Sequence, residues 1–184
     1  MGSILENLGP RICILGPSNS GKSTLAEAIA RKRDLSVIHL DQLFHQPNTN
    51  WMPRTKIEFI HLHDQAIEMP RWVMDGNYTW HISQRLERAT GFILLDISAG
   101  ISLFRYVRRA LFEHDRPGAL EGGRDSLKWE MIYHIAVTTR KNRVRYAQMF
   151  EHISLTKLKL TSQHELNRFY QAEGLSINRN LGKM

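Results

Sequence analysis

Residues 16–24 read GPSNSGKST, and the first eight fit Gly-x-x-x-x-Gly-Lys-[Ser/Thr] at every fixed position. Gly16 and Gly21 let the backbone bend so that successive amides face inward around phosphate oxygens. A helix starting near Gly21 would add the positive end of its dipole at the same point. Lys22 would place an ammonium on the β- and γ-phosphates, and the Ser23 hydroxyl could ligate Mg²⁺. The stretch Gly16, Pro17, Ser18, Asn19, Ser20, Gly21, Lys22, Ser23 and Thr24 is therefore the expected nucleotide cradle. The Gly-x-Gly-x-x-Gly dinucleotide fingerprint is absent, so a triphosphate, ATP, is the expected ligand.

Such a loop needs a carboxylate at a neighbouring strand end to hold the metal or its water shell. Two aspartates qualify. Asp96 closes the apolar run FILLD, and Asp75 closes WVMD and is followed at once by Gly76, where backbone could pass close to the phosphates. Asp75 is the preferred partner of Ser23 for Mg²⁺, and the alternative for Asp96 is a strand-end residue capping a helix near Ile101. Asp41 also ends a strand, at the side where ligands collect on open parallel sheets. It could take the proton of an attacking hydroxyl, orient an acceptor, or be an ordinary turn residue.

Phosphoryl transfer leaves charge on the moving group, and a guanidinium aimed there is worth ~10³–10⁵ in rate. Arg105, Arg108 and Arg109 lie at helical spacing, and Arg116 and Arg124 bracket a Pro/Gly-rich break, DRPGALEGG, at 115–123. Arg109, Arg116 and Arg124 are the expected catalytic arginines, carried on a lid over about 114–124 that would close and exclude water. Arg140, Lys141, Arg143 and Arg145 read instead as a solvated helix face. His61 and His63 lie two apart on a predicted helix and so cannot share one ion. Trp51, Trp72 and Trp80 could stack on a ligand or pack in the core.

These groups must be placed by an alternation of short apolar strands and amphipathic helices, which makes an α/β layer architecture. Strands are predicted at 11–15, 37–40, 72–74, 92–95 and 153–158. Helices are predicted at 21–33, 53–68 (opened by Pro53), 102–113 and 126–149, with a capping box of Ser162 and Glu165 opening a last one. Helical crossovers make neighbouring strands parallel. No repeat or linker divides the chain, so 1–184 is expected to be one domain, with its acceptor-binding region at about 42–70.

The wider composition narrows the class. A chain of 184 residues with 42% hydrophobic and 23% charged residues suits a soluble globular domain. The lone Cys13 excludes an intramolecular disulfide framework and a cysteine-rich zinc module. Neither a signal peptide nor a run of ~20 apolar residues is present, so a cytoplasmic, non-membrane setting is expected. A formal charge of +7 suits polyanionic partners without choosing among nucleotides, sugar phosphates and nucleic acid.

Taken together, the motifs GPSNSGKST at 16–24, HLDQLF at 39–44, WVMDGNY at 72–78, ILLDIS at 93–98 and RYVRR at 105–109, with the arginine-bearing lid and the long helix after it, resemble the adenylate-kinase-like P-loop kinases. More narrowly, the chain is similar to the FlaR-related, or DNA topology modulation, proteins over residues 11–160. The resemblance implies a P-loop NTPase fold, a three-layer α/β/α sandwich around a five-stranded parallel sheet of order 2-3-1-4-5. It also implies an acceptor region between the second and third strands. Asp75 then matches the acid of the family's Asp-Gly element, and Arg109, Arg116 and Arg124 match its lid-side basic positions. Two departures from adenylate kinases leave the acceptor unspecified. Asn77-Tyr78 stands where they carry Phe-Pro-Arg, and their threonine-glycine-aspartate signature is missing. The expected function is a Mg²⁺-dependent transfer of the γ-phosphate of ATP to a nucleotide or other small acceptor. The alternatives are a nucleotide-dependent regulator that binds nucleic acid, which is not favoured, and an ATPase coupled to a partner.

Overall fold

A computed structural model of the protein describes residues 2–49, 51–97 and 139–177. Five strands are found: β1 (Arg11–Leu15), β2 (Ser36–His39), β3 (Trp72–Asp75), β4 (Gly91–Leu95) and β5 (Thr156–Leu160). All pairings are parallel and the order is β2-β3-β1-β4-β5, as the resemblance implies. The described helices are α1 (Ile4–Asn7), α2 (Lys22–Arg33), α3 (Leu40–Phe44), α4 (Lys56–Ile67), α5 (Ile82–Arg88), α6 (Thr139–His152) and α7 (Gln163–Ala172).

The central strand explains the layering. Side chains alternate faces along a strand, so β1 sends Ile12 and Ile14 one way and Cys13 and Leu15 the other. On the first face Ile12 and Ile14 meet Leu25 and Ile29 of α2 and Leu166 and Phe169 of α7. On the second, Cys13 and Leu15 join Leu40 of α3, Phe59 of α4, Ile82 of α5 and Tyr146 of α6. Both faces are covered, which is why β1, β3 and β4 read as unbroken apolar runs. Burial pushes the Cys13 thiol up to about 12, so it behaves as a small apolar group.

Several predicted boundaries move, each for a local reason. The helix expected from Pro53 begins at Lys56, because Thr55 and Glu58 close a capping box there. Pro53 instead forms an antiparallel bridge with His45. The strand expected at 153–158 lies at Thr156–Leu160; α6 continues to His152, and Ile153 still donates its amide to Met149 O. Ile153 and Leu155 fill the second core instead. The crossover from β3 to β4 uses a 3-10 turn (Thr79–His81) and α5, neither of which was foreseen. The capping box of α7 is half formed. Ser162 Oγ accepts from Glu165 N, while the Glu165 carboxylate reaches back to Thr161 N.

Among the described residues, no helix is long and apolar enough to cross a membrane.

Candidate functional site

The loop between β1 and α2 is the predicted phosphate cradle. Asn19 and Gly21 take positive φ, 62° and 96°, and the turn is closed by Ser20 N donating to Pro17 O at 3.2 Å. Gly16 is required by close approach, since a Cβ there would fall on the Leu95 carbonyl oxygen at the end of β4. Gly21 caps α2 in the left-handed region, so the helix opens at Lys22 with its first amides and its dipole at the loop. Lys22 Nζ donates to Pro17 O at 2.8 Å, which keeps the ammonium folded over the loop.

Ser23, one residue into α2, donates its hydroxyl to Asp75 Oδ2 at 2.8 Å. The sheet makes this meeting unavoidable. Asp75 is the last residue of β3 and pairs with Ile14 on one side and His39 on the other. That register puts its side chain between the loop after β1 and the end of β2. His39 Nδ1 donates to the other oxygen, Asp75 Oδ1, and His39 Nε2 faces Glu27 Oε1 at 3.4 Å. A chain Ser23–Asp75–His39–Glu27 thus runs behind the cradle, with Asp75 and His39 buried. Burial alone would lower the His39 pKa, but the hydrogen bonds and charges of Asp75 and then Glu27 prevail and raise it. Relative to a free imidazole, this favours the doubly protonated ring, which can donate to both carboxylates.

Asp96, the other candidate for the metal, is engaged elsewhere. Arg143 Nε donates to its Oδ1 at 2.6 Å, and Lys159 Nζ lies 3.5 Å from its Oδ2. This corrects the reading of Arg143 as a solvated helix residue. It ties α6 to the end of β4. The expected cap near Ile101 lies outside the described residues.

Asp41 does not end a strand as expected: β2 stops at His39, and Asp41 is exposed in the first turn of α3, two residues past the His39 that holds Asp75. Tyr78, three residues past Asp75, donates its hydroxyl to Asp41 Oδ1 at 2.8 Å. Burial and the Asp41 charge raise the phenol's pKa, so it remains a donor. Around this pair the segment expected to bind the acceptor is aromatic. Tyr78 lies 5.1 Å from Phe44 and 5.0 Å from Phe59, and Phe59 lies 5.3 Å from Trp80. Trp80 is half exposed, Trp51 stands edge-on to His45, and Trp72 is wholly core. Arg54 pins α3 by donating to the carbonyls of Gln42 and Leu43.

Three supporting residues carried no recognised signal in the sequence. Asn77 Oδ1 accepts the Gly16 amide at 3.3 Å. Arg85, fully buried, donates to Gly76 O at 3.0 Å and Asn77 O at 3.1 Å, holding the turn after β3 from beneath. His39 is the third. HLD and DGN could have flagged two of them as strand-end polar residues; Arg85 looks like any helix-surface arginine. Gly76 takes φ +131°, and a Cβ there would come 2.7 Å from Leu40 Cβ, so close packing against α3 also calls for glycine. Arg105, Arg108, Arg109, Arg116, Arg124 and the lid at 114–124 lie outside the described residues.

The donor set can be tested against the metal it implies. Mg²⁺ takes hard oxygen ligands at ~2.0–2.1 Å in an octahedron, whose adjacent corners are about 2.9 Å apart. Ser23 Oγ and Asp75 Oδ2 are hydroxyl and carboxylate oxygens 2.8 Å apart, so they fit.

No family model matches the chain, and no curated protein matches it. Among solved structures, it is similar to a gluconokinase from Sinorhizobium meliloti 1021, at 15% sequence identity and a TM-score of 0.42, over 78% of this chain and 98% of that one. A likeness of that order is silent on chemistry. The similarity to FlaR-related proteins stays one of motifs.

Proposed function

We propose that this protein is a Mg²⁺-dependent phosphotransferase that moves the γ-phosphate of ATP to a small acceptor. The observation that carries this reading is the Ser23–Asp75 hydrogen bond set directly behind a loop of phosphate-binding sequence. In it, the amides of the loop and the first turn of α2 hold the phosphates, and Lys22 leaves Pro17 O for the β- and γ-oxygens. Ser23 and Asp75 would hold Mg²⁺, which would supply charge neutralisation to the phosphates. His39 keeps one Asp75 oxygen occupied, so Asp75 offers the metal only Oδ2.

The acceptor enters beside Asp41 and Tyr78, against Phe44, Phe59 and Trp80. For a hydroxyl acceptor, its oxygen forms a bond to the γ-phosphorus while the bond from phosphorus to the β,γ-bridging oxygen breaks, and ADP leaves. The hydroxyl proton passes to Asp41, or Asp41 orients that hydroxyl. Arg109, Arg116 and Arg124 neutralise the transferring group from the lid.

Screening nucleoside monophosphates, nucleosides and sugar acids for acceptor-dependent ADP formation tests this. One class should turn over, and Asp41→Asn should cut its kcat about 10²–10⁴-fold. ADP formation that no acceptor accelerates would reject transfer in favour of a coupled ATPase.

A further inference from the structure

We propose that His63, Asp64 and His81 form a binding site for a divalent transition ion of the zinc type, joining α4 to the 3-10 turn after β3. Asp64 Oδ1 lies 2.9 Å from His63 Nδ1 and 3.0 Å from His81 Nε2, and one ligand atom from each of the three lies within 4.8 Å of the others. Zinc takes imidazole and carboxylate donors at ~2.0–2.2 Å in a tetrahedron, which sets ligand atoms about 3.3 Å apart. The two Asp64 contacts would lengthen by a few tenths of an ångström to admit the ion. Two imidazoles with one carboxylate select a borderline ion over Mg²⁺ or Ca²⁺.

The histidine that could not pair with His61 along its own helix meets another contributed by a different element. The ordinary explanation for a buried histidine is a satisfied hydrogen-bond position, and His63 meets it at Nδ1 alone. Its ring is 1% exposed, and its Nε2 has no hydrogen-bond partner among the described residues. A neutral imidazole has one N–H and one lone pair. With the proton on Nδ1 the ring donates to Asp64 Oδ1, and a cation that took that proton's place would bond both atoms. The uncharged ring is the form that ligates. Arg85 tempers affinity for a cation, although its guanidinium is committed to two carbonyls. The Asp64 side chain is 46% exposed, which provides an entry route and a fourth position for water.

The ion would act as a staple. Phe59, one turn before His63, contacts Tyr78 and Trp80, which flank the turn that carries His81. Fixing His63 to His81 fixes the aromatic wall between them.

The test titrates Zn²⁺ into the nucleotide-free protein by calorimetry, and records Co²⁺ absorption bands and the thermal midpoint. One equivalent should bind, the Co²⁺ spectrum should be four-coordinate, and Zn²⁺ should raise the midpoint. Asp64→Asn and His81→Gln should each weaken binding at least about tenfold and abolish the Co²⁺ bands. His61→Ala, at an exposed position of α4, should change neither. No uptake by the unaltered protein, or uptake unchanged in Asp64→Asn, overturns the site. Should His81→Gln fail to fold, Asp64→Asn at its half-exposed position decides alone. Nucleotide is absent throughout, so the outcome is independent of phosphotransfer.

Discussion

Asp75 spends both carboxylate oxygens, one on Ser23 and one on His39, whereas Asp96 faces Arg143 and Lys159. Metal binding should follow that division. Asp75→Asn should weaken Mg²⁺-dependent ATP binding by about tenfold or more while Asp96→Asn leaves it within about twofold, measured as the difference in affinity with and without Mg²⁺. Equal losses in the two variants would reject the assignment. His39 allows a second prediction. Its pKa is raised in the folded chain, so its stabilisation is complete below the unfolded value of ~6.5 and is lost as pH rises through the higher folded value. The thermal midpoint of the unaltered protein should therefore exceed that of His39→Gln by more at pH 6 than at pH 9. A gap that widens with pH would contradict a protonated His39 between Asp75 and Glu27.

At the scale of elements, β1, β3 and β4 were legible because each is a short, mostly apolar, buried run, whereas the half-exposed TKLKL of β5 was misplaced; the loop was legible because its chemistry fixes four letters in eight. What escaped was whatever the third dimension alone creates. Nothing in DGNYTWHIS marks a 3-10 turn and a seven-residue helix, because its apolar positions are too few for periodicity to show. Arg85 was unreadable for the same reason; its partners are main-chain carbonyls nine and eight residues earlier. Likewise the meeting of Asp75 with His39 depends on the β2–β3 register, and that of Asp64 with His81 on the packing of α4 against the turn. Removing Arg85 should be costly, since a buried carbonyl and a part-buried one lose a charged donor. Arg85→Met is expected to destabilise by about 2–4 kcal/mol in a denaturant titration. A change under about 0.5 kcal/mol would mean that the turn after β3 holds itself.

For the molecule as a whole, the parallel sheet gathers the ends of β1, β2 and β3 with their loop, Asp41, Asp75 and Tyr78 along one edge, where open α/β sheets bind ligands. The formal charge of +7 adds a long-range pull on any polyphosphate approaching that edge. Whether a triphosphate is what that edge grips is the central question, and calorimetry with Mg·ATP answers it most directly. The intact protein should bind one equivalent, and Lys22→Ala, still folded by circular dichroism, should lose at least about tenfold in affinity. No heat from the intact protein at millimolar nucleotide, or the same affinity in the folded Lys22→Ala chain, would contradict the account.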